Sequence, residues 1–192
     1  MTTKRLAIIL VFVFLVADCH KVTKPRIEKF IWIRHNANWI YDTSELKARI
    51  IIIYNDSSKD VTISKHYNLS REDEFFRTKA SDTLINLIYN NLETKNYHQE
   101  YEVAYDTNKP PMIYDGDIYL LIYKFSNQPE KYINYISDVL PDSLNVLATY
   151  IEKLSYKKQF DKGQPFDMDA FFRQYKDFYL QYRINLPTPF KD

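Results

Sequence analysis

The four histidines, the side chains most often used in acid–base and metal chemistry, are scattered along this chain. The histidines are His20, His35, His66 and His98, and none stands in an H-E-x-x-H or other local metal-ligand spacing. We therefore predict no catalytic residue, no metal site and no cofactor. A small hydrolase is an alternative hypothesis, and it requires His66, Asp115 and Asp117 to meet in one cleft.

Glycine and cysteine usage argue against several classes of protein. Glycine occurs only at Gly116 and Gly163, so the chain has neither a P-loop nor a G-x-G-x-x-G loop to hold a nucleotide phosphate. Cys19 is the only cysteine, which excludes a disulfide and a cysteine-rich zinc site. The net charge is +1, and it becomes zero without residues 1–18, whereas nucleic-acid-binding proteins usually carry a basic excess. We predict neither a nucleotide nor a nucleic acid as partner.

The segment before Cys19 has the pattern of an export signal. Lys4 and Arg5 give it a positive start, and the uninterrupted apolar run Leu6 to Ala17 follows. Twelve helical residues span about 18 Å, which is too short for a bilayer core of about 30 Å. Residues 1–18 are therefore predicted to be a signal peptide, and the protein is expected to work outside the cytoplasm.

The end of this segment predicts how the chain is held at a membrane. Val16-Ala17-Asp18-Cys19 resembles the lipobox of bacterial lipoproteins, with Asp18 where that family has a small residue. The resemblance implies that Cys19 is acylated, becomes the first mature residue and anchors the protein on a membrane that faces the periplasm or the cell exterior. Residues 19–26 would form a polar tether. Cleavage after Ala17 with release of a soluble protein, and an uncleaved anchor, are the alternatives.

Residues 27–192 are expected to form a single α+β domain. Strands are predicted over residues 27–34, 46–55, 61–67, 117–125 and 130–136, with Ile31 and Ile33 on one face of the first strand and Phe30 and Trp32 on the other. Helices are predicted from Ser81, Pro141 and Asp167. Strands outnumber crossover helices, so we expect a mainly antiparallel sheet of two hairpins with about three helices packed on one face. Residues 46–157 loosely resemble small domains of uncharacterised bacterial lipoproteins.

An aromatic stripe near the C-terminus has two interpretations. Phe171, Tyr175, Phe178 and Tyr182 recur at helical spacing, which is typical of core packing and also of a partner-binding helix. We expect a non-enzymatic, lipid-anchored envelope protein that binds another protein as an assembly factor, an inhibitor or an immunity protein. Besides the hydrolase, a carrier of a small apolar ligand is an alternative, and it requires a cavity of about 300 Å³ or more.

Overall fold

The computed structural model describes residues 24–36, 50–67, 72–101, 117–126, 128–136, 139–157, 160–168, 170–171 and 173–175. The predictions for the signal peptide, Cys19 and most of the tether lie outside these residues. Within them, no helix is both long enough and apolar enough to cross a bilayer.

The chain forms an eight-stranded, mostly antiparallel sheet. Its strands are β1 (Ile27–Asn36), β2 (Ile50–Asn55), β3 (Asp60–Tyr67), β4 (Glu72–Lys79), β5 (Glu100–Tyr101), β6 (Asp117–Phe125), β7 (Lys131–Ile136) and β8 (Asp161–Lys162). Among the described strands the spatial order is β5-β7-β6-β1-β2-β3-β4-β8, with a parallel β5–β7 pair and antiparallel pairing between the other neighbours. The predicted α+β class and the predominance of antiparallel pairing are confirmed.

Two helices with the expected starting points accompany the sheet. Helix α1 (Asp82–Ile88) continues as a π-helical turn (Tyr89–Glu93), and the Ser81 side chain accepts the N–H of Leu84 at its start. Helix α2 spans Asp142–Ser155. Residues 168, 170–171 and 173–175 are helical too, and the Asp167 carboxylate accepts the N–H of Ala170 at 2.8 Å. These local caps satisfy N–H groups that a helix start leaves unpaired.

One side of the sheet, which we call the first face, forms the larger core. Phe30 and Trp32 of β1 point to this side and are at most 1% exposed. Helices α1 and α2 cover it with apolar residues at helical spacing: Leu84, Ile88, Leu92, Leu144, Leu147, Ile151 and Leu154. Each such side chain contributes about 1.5–3 kcal/mol when fully buried, so this layer holds the two helices on the sheet.

The opposite side, which we call the second face, is apolar as well. Ile31 and Ile33 of β1 cluster there with Ile51, and the C-terminal residues Phe171 and Tyr175 pack against them. The prediction that all the helices lie on one face is therefore not confirmed. The physical reason lies in β1, whose alternate residues are apolar on both sides, so that water must be excluded from both faces of the sheet.

Tyr175→Glu tests the importance of this second layer. Tyr175 is 3% exposed, so the substitution would remove a buried ring from the second-face cluster and place a poorly hydrated carboxylate there, with Lys29 nearby. We expect the free energy of unfolding, measured by urea denaturation, to fall by more than about 3 kcal/mol. Gln174→Glu adds the same charge to an exposed neighbour and should change stability by less than about 0.5 kcal/mol. Equal effects of the two substitutions would contradict the packing.

Candidate functional site

Arg34 organises a polar network at the end of β1 that follows Trp32. Its guanidinium donates to the carboxylate of Asp117, at the start of β6, and to the hydroxyl of Tyr156, just after α2. It also lies 3.4 Å from the Glu152 carboxylate. The Arg34 side chain is only 12% exposed, and its Nε is buried with no hydrogen-bond partner in the described part of the chain. The guanidinium of Arg34 thus connects β1 with the neighbouring strand β6 and with helix α2.

The electrostatics keep this network charged. Burial alone lowers the pKa of Arg34, but its hydrogen bonds with Asp117 and Tyr156 outweigh burial, and the net effect is a pKa above the usual range. Burial raises the pKa of the Tyr119 phenol, although the positive charge of Arg34 opposes this shift. Arg34, Asp117 and Glu152 together carry a net charge of −1. The network therefore combines the positive charge of Arg34 with the neutral phenol of Tyr119.

A stack of three aromatic rings forms the floor beneath the network. The indole N–H of Trp32 donates to the Tyr135 hydroxyl at 2.7 Å, and the Tyr119 and Tyr135 rings stack with centroids 5.0 Å apart. The Tyr119 hydroxyl in turn donates to Glu152 at 3.3 Å. The hydrogen bonds and the ring contacts of this floor thus restrain one another's geometry.

The space between the floor and α2 is small. A cavity of about 20 Å³ lies beside Tyr119, Tyr135, Thr149 and Glu152. This volume has room for about one water molecule, and the surrounding hydroxyl and carboxylate groups suit one. It is more than tenfold smaller than the roughly 300 Å³ that a carrier of a small apolar ligand would need. The cavity therefore does not support the carrier hypothesis.

The outer surface of α2, in contrast, exposes large side chains. Val146 is 57% exposed and Tyr156 is 59% exposed. Exposed Thr149 and Lys153 lie between them, and the four residues follow one another at spacings of three or four, so they share one side of the helix. We call Val146, Thr149, Lys153 and Tyr156 the outer stripe of α2. It ends at the tyrosine whose hydroxyl Arg34 holds.

The predicted hydrolase residues do not come together. The His66 Nδ1 lies 2.8 Å from an Asp73 carboxylate oxygen on the neighbouring strand β4, and strand alternation places His66 on the second face. Asp117 contacts Arg34 on the first face, and three strand spacings, about 14 Å, separate β6 from β3. Asp115 lies outside the described residues. The described geometry thus gives no support to a hydrolase built on this set.

The other sequence-predicted residues have these positions. Phe171 and Tyr175 are buried in the second-face cluster, while Cys19, Phe178 and Tyr182 lie outside the described residues. His35 and His66 are buried on the same face, two strand spacings or about 10 Å apart. The part of the chain that the structure describes contains no group of three metal-ligating side chains. A binding role for the whole stripe stays a prediction.

The Arg34 network itself was not anticipated. Trp32 was assigned to the same side of β1 as Phe30, and period-two alternation extends that side to Arg34. An arginine on the buried face of a strand indicates a charged network at that position. The sequence does not show which residues form the network, because the partners of Arg34 come from distant segments.

No family model, curated protein or solved structure matches this chain.

His35, next to Arg34 but on the opposite face, makes stability depend on pH. Burial lowers the pKa of His35 to about 3, although the negative charge of Asp117 opposes this. The unfolded chain therefore binds a proton between about pH 6.5 and 3 that the folded chain does not, and stability decreases as the pH falls through this range. We expect urea denaturation to show a loss of about 2 kcal/mol between pH 6.5 and 5.

Replacing the histidine should remove this dependence. In His35→Leu, the loss of stability over the same pH range should shrink by about 2 kcal/mol. His98→Gln, at an exposed histidine, should keep the behaviour of the unaltered protein. If His35→Leu retained the full pH dependence, the assignment to His35 would be wrong.

Proposed function

We propose that this protein is an exported, lipid-anchored component of the cell envelope that binds another protein through the outer stripe of α2. The observation that carries the binding role concerns Tyr156, a residue that is 59% exposed while its hydroxyl accepts a hydrogen bond from Arg34. The anchor rests on the signal-peptide pattern and the lipobox-like residues that end at Cys19.

A tyrosine held in this way suits recognition of a protein surface. Tyrosine supplies a large contact area at a low cost in side-chain entropy, and it is enriched at the centres of interfaces. Here the phenol is already oriented before binding, because Arg34 is itself fixed by Asp117 and Glu152. Preorganisation lowers the cost of association, so the surface is ready to bind without rearrangement.

The rest of the stripe extends this contact. Val146 lies ten residues before Tyr156, about 15 Å along the helix, and presents an apolar side chain at the other end. The polar residues Thr149 and Lys153 lie between the two ends. A partner would therefore cover about three turns of α2, in the manner of an assembly factor, inhibitor or immunity protein that docks on a helix face.

The anchor is tested by intact mass and membrane fractionation of the protein beside Cys19→Ser. We expect the unaltered protein to gain the mass of acyl chains and to sediment with membranes. The Cys19→Ser chain should gain no such mass and should be lost from the acylated membrane pool. Cleavage after Ala17 with release of an unmodified chain would contradict the anchor and favour a secreted soluble protein.

The binding surface is tested in cells with a photo-crosslinking amino acid at position 153, in the middle of the stripe. We expect a discrete protein adduct there and none from position 164, an exposed glutamine away from α2. Tyr156→Ala should lower the adduct yield by about tenfold or more, as expected for an aromatic interface anchor. Tyr156→Phe keeps the ring and should retain part of the yield.

Folding must be monitored in the same variants. Tyr156→Ala removes one hydrogen bond of Arg34, which keeps Asp117 and Glu152 as partners, so the free energy of unfolding should fall by no more than about 1 kcal/mol and the protein should stay folded. A folded Tyr156→Ala protein with undiminished adduct yield would refute the outer stripe as the contact surface.

A further inference from the structure

One end of the sheet collects more basic than acidic side chains. The antiparallel register brings together the starts of β1, β3 and β7 and the ends of β2, β4 and β6. The turn after α1 joins them, because the Gln128 amide donates to the carbonyl of Glu93 and Lys131 donates to Asn96. We call this surface the basic end, and it comprises residues 24–30, 53–62, 77–82, 93–97, 123–126 and 128–132.

The charges of the basic end do not cancel. It contains nine Lys or Arg residues and six Asp or Glu residues, a net charge of +3. Four of the six acidic residues, Glu28, Asp56, Asp60 and Glu130, pair with neighbouring cations, and Asp82 and Glu93 are the other two. Four cations form no ion pair with a described carboxylate: Lys24, Arg26, Lys95 and Lys131. Lys24, Lys95 and Lys131 contact neutral side chains, so no described carboxylate neutralises the positive charge of these residues.

The basic end lies close in sequence to Cys19. Lys24 is the fifth residue after Cys19, and five residues span at most about 18 Å however they are arranged. If Cys19 is acylated, the basic end is therefore held within reach of lipid headgroups. Lys21 adds a further positive charge to the connecting segment.

We propose that the basic end binds the anionic phospholipid headgroups of the membrane that holds Cys19. This inference rests on the proposed lipid anchor and adds an orientation to it. Each Lys or Arg near an anionic surface adds roughly fivefold in binding, and salt weakens the attraction. Arg34 lies seven residues beyond Ile27, about 23 Å along β1. Tyr156, which Arg34 holds, is thereby directed away from the bilayer and toward a partner.

The test uses the full acylated chain on phosphatidylcholine vesicles with or without added phosphatidylglycerol. Because Cys19 is the only cysteine and is blocked by acylation, a fluorophore can be attached to Ser57→Cys in the β2–β3 turn of the basic end. Glu74→Cys provides the matched site at the level of Arg34. Energy transfer to a headgroup-labelled lipid then reports which end of the sheet approaches the membrane.

We expect phosphatidylglycerol to raise transfer from position 57 about threefold or more and to leave position 74 nearly unchanged, with the gain lost at high salt. Lys95→Glu combined with Lys131→Glu should abolish that gain. Lys153→Glu combined with Lys157→Glu, which changes the charge equally at one exposed position in α2 and one just after it, should not. Equal transfer from the two sites, or equal effects of the two double variants, would overturn the proposal.

Failure of the anchor is recognised separately, because an unacylated chain shows no acyl mass and does not float with neutral vesicles. In that case the released chain is mixed with phosphatidylglycerol vesicles. The basic-end proposal still requires salt-sensitive cosedimentation that Lys95→Glu with Lys131→Glu weakens by about twentyfold or more. Binding that is absent, or insensitive to these substitutions, would overturn it there too.

Discussion

Strand β1 imposes the constraint on which the rest of the structure depends. It lies in the interior of the sheet, pairs with β2 and β6, and carries buried apolar side chains on both sides. A strand of this kind is stable only when both faces of its sheet are shielded from water. Helices α1 and α2 shield one face, and the C-terminal residues around Phe171 and Tyr175 pack on the other.

The same strand explains the polar network. At Arg34 the alternation of β1 delivers a charged side chain to the face that Phe30 and Trp32 occupy. A partly buried cation is tolerated only with close anionic and hydrogen-bonding partners, which Asp117, Glu152 and Tyr156 supply. Because Tyr156 is one of these partners, its hydrogen bond with Arg34 also holds an exposed tyrosine in place.

The two proposals fit together through the geometry of the sheet. The basic end lies where β1 begins, close in sequence to Cys19, and Arg34 lies near the other end of the same strand. A chain anchored at Cys19 would thus contact lipid with one end and present Tyr156 at the other. The aromatic floor built from Trp32, Tyr119 and Tyr135 lies beneath the Arg34 network at that second end.

The sequence by itself determined what depends on neighbouring residues. Ser81 and Asp167 cap their helices, Asn55 accepts two backbone N–H groups in the β2–β3 turn, and the two sides of β1 follow its alternation. These features are local, since a side chain within a few residues satisfies a backbone group.

Only the tertiary structure decided the remaining features. Strand β4 was not among the predicted strands, because it begins with three acidic residues and has no apolar alternation there, and it forms a strand because β3 pairs along its whole length. The pairing of β1 with β6 and the contacts of Arg34 with Asp117 and Tyr156 join segments that lie about 80 to 120 residues apart. Such contacts depend on how whole elements pack, and no local pattern encodes that packing.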